Sequence, residues 1–325
     1  MTLPRRILMV LATAAILAFF SEFFFVNEGP AGDLTALLAA GGPALLWWPL
    51  ELILWYGFPA YLFLAAIGRF QVRSLAALFL AGALYGFAVE GIVIWQMYEA
   101  LPYTISWTPL GWHVLVDVLL GWLLVRRVLQ RDQMLTTAGL AVGLGLFWGI
   151  WATWNAAQLP LSPPAEFGAL ALFSGTIWIA GTFILDRWGG AAFQPSRVEL
   201  GLLALVGAGL FAVQILPVFP LALLFLPPLL LLTGWLLWRN QAQETRPSIL
   251  ASFPKRPRPR NYALLFLTPL TAAAAYMLVY EAAPLPLLDL VPPLLMAAGF
   301  LGYGLSALRI LRPQVAEAAT SDAPA

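Results

Sequence analysis

Apolar runs of about twenty residues recur from one end of the chain to the other, near residues 5–26, 44–67, 74–97, 108–128, 135–157, 168–188, 198–216, 219–238, 263–281 and 287–308. Each is long enough to cross a hydrocarbon core of ~30 Å at ~1.5 Å per residue. The runs are continuous and lack the alternation of a membrane barrel, so they predict helices. The pattern therefore predicts an all-α, polytopic transmembrane helix bundle of about ten spans. Pro217 and Pro220 predict a tight turn between the seventh and eighth spans, and Pro227 with Pro228 a kink or interruption after it. The first run follows a basic start, MTLPRR, and reads as a retained signal anchor.

Composition agrees with lipid as the solvent. Hydrophobic residues make up 61% and charged residues 10%, and the mean hydropathy is +0.84, which excludes an ordinary soluble domain. A net charge of +1 gives no electrostatic reason to expect nucleic acid as a partner. Cysteine is absent, which excludes disulfides, thiol chemistry and cysteine metal sites.

Charge sorts by side. All 17 Lys and Arg residues fall in alternate inter-span segments or at their edges, from Arg5 and Arg6 to Arg309 and Arg312. The opposite loops carry Glu28, Asp33, Glu99, Glu166 and Glu281. This positive-inside pattern predicts a multi-pass protein with both termini cytoplasmic, in the cytoplasmic membrane of a bacterium. The chain divides into a five-span half, 1–160, a proline-rich five-span half, 161–314, and a disordered tail, 315–325. Residues 239–262 read as a flexible basic linker, with Lys255, Arg256, Arg258 and Arg260 placed to meet anionic lipid headgroups. YEALP at 98–102 and YEAAP at 280–284 suggest an internal repeat of hairpins.

An ionisable side chain within a bilayer costs at least ~2.5 kcal/mol, so such residues mark functional sites. The first half holds Glu22, Glu51, Glu90, His113 and Asp117, with Asn155; the second holds acids only near span ends, such as Asp186. Counted along their spans, the first group shares the outer half of the membrane. A common polar pocket, open to the outside, is the expectation. His113 and Asp117 lie four apart, on one helix face, as a proton-transfer couple or an oriented ligand requires. Glu51, Glu90, Asp117 and His113 together offer donors for Mg²⁺ or Mn²⁺, while haem, nucleotide and zinc signatures are absent. Trp47, Trp48, Trp55, Trp95, Trp107 and Trp112 read as an outer aromatic belt, and the glycines of 139–149 as a packing surface.

Residues 56–98, YGFPAYLFLAAIGRFQVRSLAALFLAGALYGFAVEGIVIWQMY, followed by a span with His113, resemble an uncharacterised group of bacterial multispan proteins. That group is similar to the CAAX-protease and bacteriocin-processing membrane family. The family's motifs are Glu-Glu-x-x-x-Arg, Phe-x-x-x-His and His-x-x-x-Asn or Asp, on three helices. Glu90 matches the second glutamate, His113 the second-helix histidine and Asn155 the last position of the third motif. Val89, Trp95, Pro109 and Trp151 stand at or near the remaining positions. The resemblance implies a hydrolase for membrane-embedded peptides: Glu90 activates water, and His113 and Asn155 position it, with Glu22, Glu51 and Trp151 nearby to bind substrate. The departures imply equally an inactive relative that only binds. The residues themselves also fit a transporter that uses the same acidic and imidazole groups, or a non-catalytic scaffold.

Overall fold

The computed structural model describes residues 2–25, 36–37, 40–188, 192–241, 247–254 and 256–312. Glu28, Pro30, Asp33, Lys255, the tail 315–325 and the side chain of Trp48 lie outside the described residues. Every regular element among the described residues is helical. Ten helices are long and apolar enough to cross a membrane. They are α1 (Leu3–Phe23), α2 (Leu50–Arg69), α3 (Leu75–Val93), α4 (Thr104–Gln130), α5 (Met134–Ala157), α6 (Pro164–Arg187), α7 (Arg197–Ile215), α8 (Ala222–Gln241), α9 (Pro259–Ala282) and α10 (Pro286–Leu311). The proline pair does not break the eighth span: Pro227 and Pro228 lie inside a continuous helix.

The polar signals at helix starts are satisfied locally. Ser74 accepts from the Ala77 amide at the head of α3, and Ser196 with Glu199 forms a reciprocal capping box at the head of α7. The central helix is α3, whose residues are 94% buried against α2, α4, α8 and α10, whereas α7 is 11% buried and peripheral. The expected boundary near residue 160 coincides with no gap in packing, because α1 packs on α6, α4 on α10 and α5 on α9.

Small residues set the closest approaches. Gly82 and Gly86 of α3 face Val114 and the Pro109 backbone of α4, where a Cβ on Gly86 has no room. Of the glycines in 139–149, Gly145 and Gly149 meet Thr268, Thr271 and Ala272 of α9, while Gly139 and Gly143 face open space.

The arginine-bearing ends of the helices lie together and are tied by polar bonds. Arg6 pairs with Glu199 at 2.8 Å, Arg69 donates to Gln241, and Asp132 pairs with Arg258 and Arg260 at 2.9 and 3.5 Å. The linker expectation for 239–262 is corrected here. Within it, residues 247–254 form a strap, in which Ile249 donates to the Val72 carbonyl at 2.8 Å. Ile249, Leu250 and Phe253 are buried. Three apolar side chains in a polar stretch anchor it, a spacing too short for any periodic signal.

Candidate functional site

Two helices bring an imidazole between two carboxylates. His113 Nε2 lies 2.7 Å from Glu90 Oε1 of α3, and His113 Nδ1 lies 2.7 Å from Asp117 Oδ2 of its own helix. The three side chains are at most 4% exposed. Tyr85 donates to Asp117 Oδ2 at 2.9 Å. A second arm runs from the same imidazole edge. Ser21 Oγ is 3.4 Å from His113 Nδ1 and bonds the Tyr56 hydroxyl, which donates to Glu22. Glu22 is half-buried, so the array leads from a buried core toward a more open end. Among the described residues Glu90 Oε2 and Asp117 Oδ1 have no hydrogen-bond partner.

The donor order along the second arm is constrained. Tyr56 spends its proton on Glu22, so Ser21 donates to Tyr56; the 3.4 Å contact of Ser21 Oγ with His113 Nδ1 is secondary to the 2.7 Å bond of that nitrogen to Asp117. Each short bond of the imidazole to a carboxylate also contains one proton. The Glu90–His113–Asp117 triad thus holds at least two protons, one in each of these bonds.

The backbone beneath these groups is unusual. Ser21 and Glu22 sit in a π-helical turn, Phe19–Phe23; Glu90 sits in another, Val89–Val93; and His113 with Asp117 sits in a long π-helical stretch, Trp107–Leu124. Turns with the wider i→i+5 ladder are frequent at functional sites, although another, Phe211–Ile215 of α7, holds none of these residues. Two indoles bond carbonyls of the first turn: Trp112 Nε1 donates to Phe20 O at 3.0 Å, and Trp148 Nε1 to Phe23 O at 2.9 Å. Trp112 is therefore a buried supporting residue, not part of an outer belt, whereas Trp47, Trp55 and Trp95 are exposed.

The structure brings together Glu22, Glu90, His113 and Asp117 of the residues singled out in the sequence. Glu51 does not join them; it is exposed near the start of α2. Asn155 is buried on the turn Trp154–Ala157, and none of the bonds of the array described above reaches it. Trp151 is buried and stacks on Trp154 with ring centroids 4.7 Å apart, in an aromatic cluster with Phe25, Trp107 and Trp112. Glu51, Glu90, Asp117 and His113 do not converge as metal donors: among the described residues no group of three such donors is arranged to hold a metal. The physical reason is that Glu90 and Asp117 address opposite nitrogens of one ring, and Glu51 is elsewhere.

Ser21, Tyr56 and Tyr85 were not legible as site residues. A serine hydroxyl is inexpensive to bury in a helix because it can bond the preceding turn, and a tyrosine is mostly apolar ring with a polar tip, so neither carries a cost signal. Asp186 does lie near the end of α6, yet it is buried, paired with Arg126 Nε at 2.7 Å and accepting from Tyr262 at 3.0 Å. Comparison with protein-family models, with curated proteins and with solved structures gives no match for this chain.

Proposed function

We propose that this integral membrane protein is a proton-linked carrier, in which Glu22, Tyr56, Ser21, His113, Glu90 and Asp117 pass protons between the outer surface and a buried binding centre. The observation that carries this reading is the continuous chain of hydrogen-bonding groups from the Glu90–His113–Asp117 centre through Ser21 and Tyr56 to the half-buried Glu22. Buried chains of carboxylates and imidazoles are the usual means of moving protons within a bilayer. His113 has both ring nitrogens bonded to carboxylates, which suits proton exchange better than ligation or oxyanion binding. In this reading the arginine-bearing end faces the cytoplasm, both termini lie there, and the membrane is a bacterial cytoplasmic membrane.

A second reading is favoured by one specific observation. The free Glu90 Oε2, on a carboxylate held by His113, is placed to bind a water, as a glutamate-dependent hydrolase resembling the CAAX-protease family needs.

Proteoliposomes with a trapped pH indicator, an imposed potential and a panel of labelled small organic acids, amino acids and sugars test the choice. A panel solute is expected to move protons with wild type and not with Tyr56→Phe or Glu90→Gln. Proton movement equal to that of protein-free vesicles refutes the carrier. Cleavage of a membrane peptide that survives Tyr56→Phe but not Glu90→Gln establishes the hydrolase instead.

A further inference from the structure

A second polar centre lies further along α4, toward the arginine-bearing end. Arg126 is fully buried. Its Nε is spent on Asp186 Oδ1 at 2.7 Å, and the face of its guanidinium lies 3.8 Å from the Phe253 ring centroid of the strap. Among the described residues its Nη1 and Nη2 meet no acceptor, and neither does Nε1 of Trp122. Trp122 and Arg126 are four apart on one helix, with the guanidinium 4.9 Å from the indole centroid. Three buried donor nitrogens on adjacent side chains are thus unspent, while the neighbouring walls are the Phe63 and Phe253 rings.

We propose that Arg126 and Trp122 form a binding site for a small organic monocarboxylate. The Nη1/Nη2 end of a guanidinium takes a carboxylate with two parallel bonds, and that end is the one left open by the bond from Nε to Asp186. The charge count favours a monovalent guest. Arg126 with Asp186 is neutral, so a monocarboxylate leaves one net charge in a buried place, and a divalent phosphate leaves two at a much larger desolvation penalty. The aromatic walls suit an apolar body attached to the carboxylate. Arg126 is held by Asp186, which is held in turn by Tyr262, so the fork is pre-oriented. The strap residue Phe253 covers the guanidinium face, and lifting 247–254 opens the site. As the solute of the carrier, this guest rests on the proton-relay reading above; as a bound ligand, it does not.

Equilibrium dialysis of radiolabelled benzoate against the purified full-length protein in detergent tests the site. Saturable one-to-one binding is expected, weakened about tenfold or more by Arg126→Lys, which keeps the charge and loses the fork. Trp122→Phe, which removes only the indole N–H and keeps the ring packing, weakens binding several-fold and answers the question if the arginine variant fails to fold. Equimolar inorganic phosphate does not displace the label. Absence of saturable binding, an affinity unchanged in Trp122→Phe, or displacement by phosphate overturns the proposal. Tyr56→Phe leaves benzoate binding intact; if it also leaves proton movement intact, the carrier reading falls while the site stands.

Discussion

At the scale of single residues, burial and hydrogen bonding decide what each polar group is for. The tryptophans make the point: Trp47 is 60% exposed and Trp112 is 1% exposed, although their one-letter context is similar. Trp112→Phe leaves the Phe20 carbonyl without its indole donor, and an orphaned buried acceptor costs ~1–3 kcal/mol. The thermal melt in detergent is expected to fall for Trp112→Phe and to stay unchanged for Trp47→Phe. Asp186→Asn removes the partner of a buried guanidinium, a change that typically destabilises by ~3–5 kcal/mol, and the same melt reads it as the larger loss. The residues legible in the sequence were those whose burial is expensive, Glu22, Glu90, His113 and Asp117. The hydroxyls of Ser21, Tyr56 and Tyr85 carry no such cost, and the burial of Asp186 was hidden because nearness to a span end does not decide exposure.

Helices add a second layer of control, because their spacing decides whether the array closes. The ten spans were legible from length and apolarity alone, but the π-helical stretches were not. A helix that is hydrophobic on every face shows no periodicity from which a change of winding can be read. On α3 the residues Gly82, Gly86 and Glu90 recur every four positions along the face toward α4, so the glycines let the two backbones approach where the glutamate must reach His113. Gly86→Ala drives a methyl group into the Pro109 backbone, and overpacking of this kind costs ~1–3 kcal/mol. Gly139→Ala faces open space and, by relieving backbone entropy in a helix, stabilises by roughly 0.5–1 kcal/mol. Opposite signs of shift in the melting temperature of these two variants are the expected result; equal shifts would mean that α3 and α4 do not depend on this contact. The strap 247–254 teaches the complementary lesson, since three buried side chains hold a segment whose composition reads as linker.

The whole molecule is a bundle with one end tied by arginine ion pairs and the other closed by aromatic clusters, and its direction in the membrane sets how the relay is loaded. Glu22, Glu90 and His113 lie toward the end opposite the arginines, so an arginine-in orientation exposes the Glu22 arm to the outside and places the Arg126 centre toward the cytoplasm. The natural absence of cysteine makes this measurable without background. Glu99→Cys, in the exposed loop between α3 and α4, is expected to react with a membrane-impermeant maleimide in intact cells. Arg131→Cys, exposed between α4 and α5, reacts only after permeabilisation. The reverse labelling order inverts the protein and puts Glu22 in the cytoplasm, so that the relay would discharge protons inward where the present reading has it collecting them from outside.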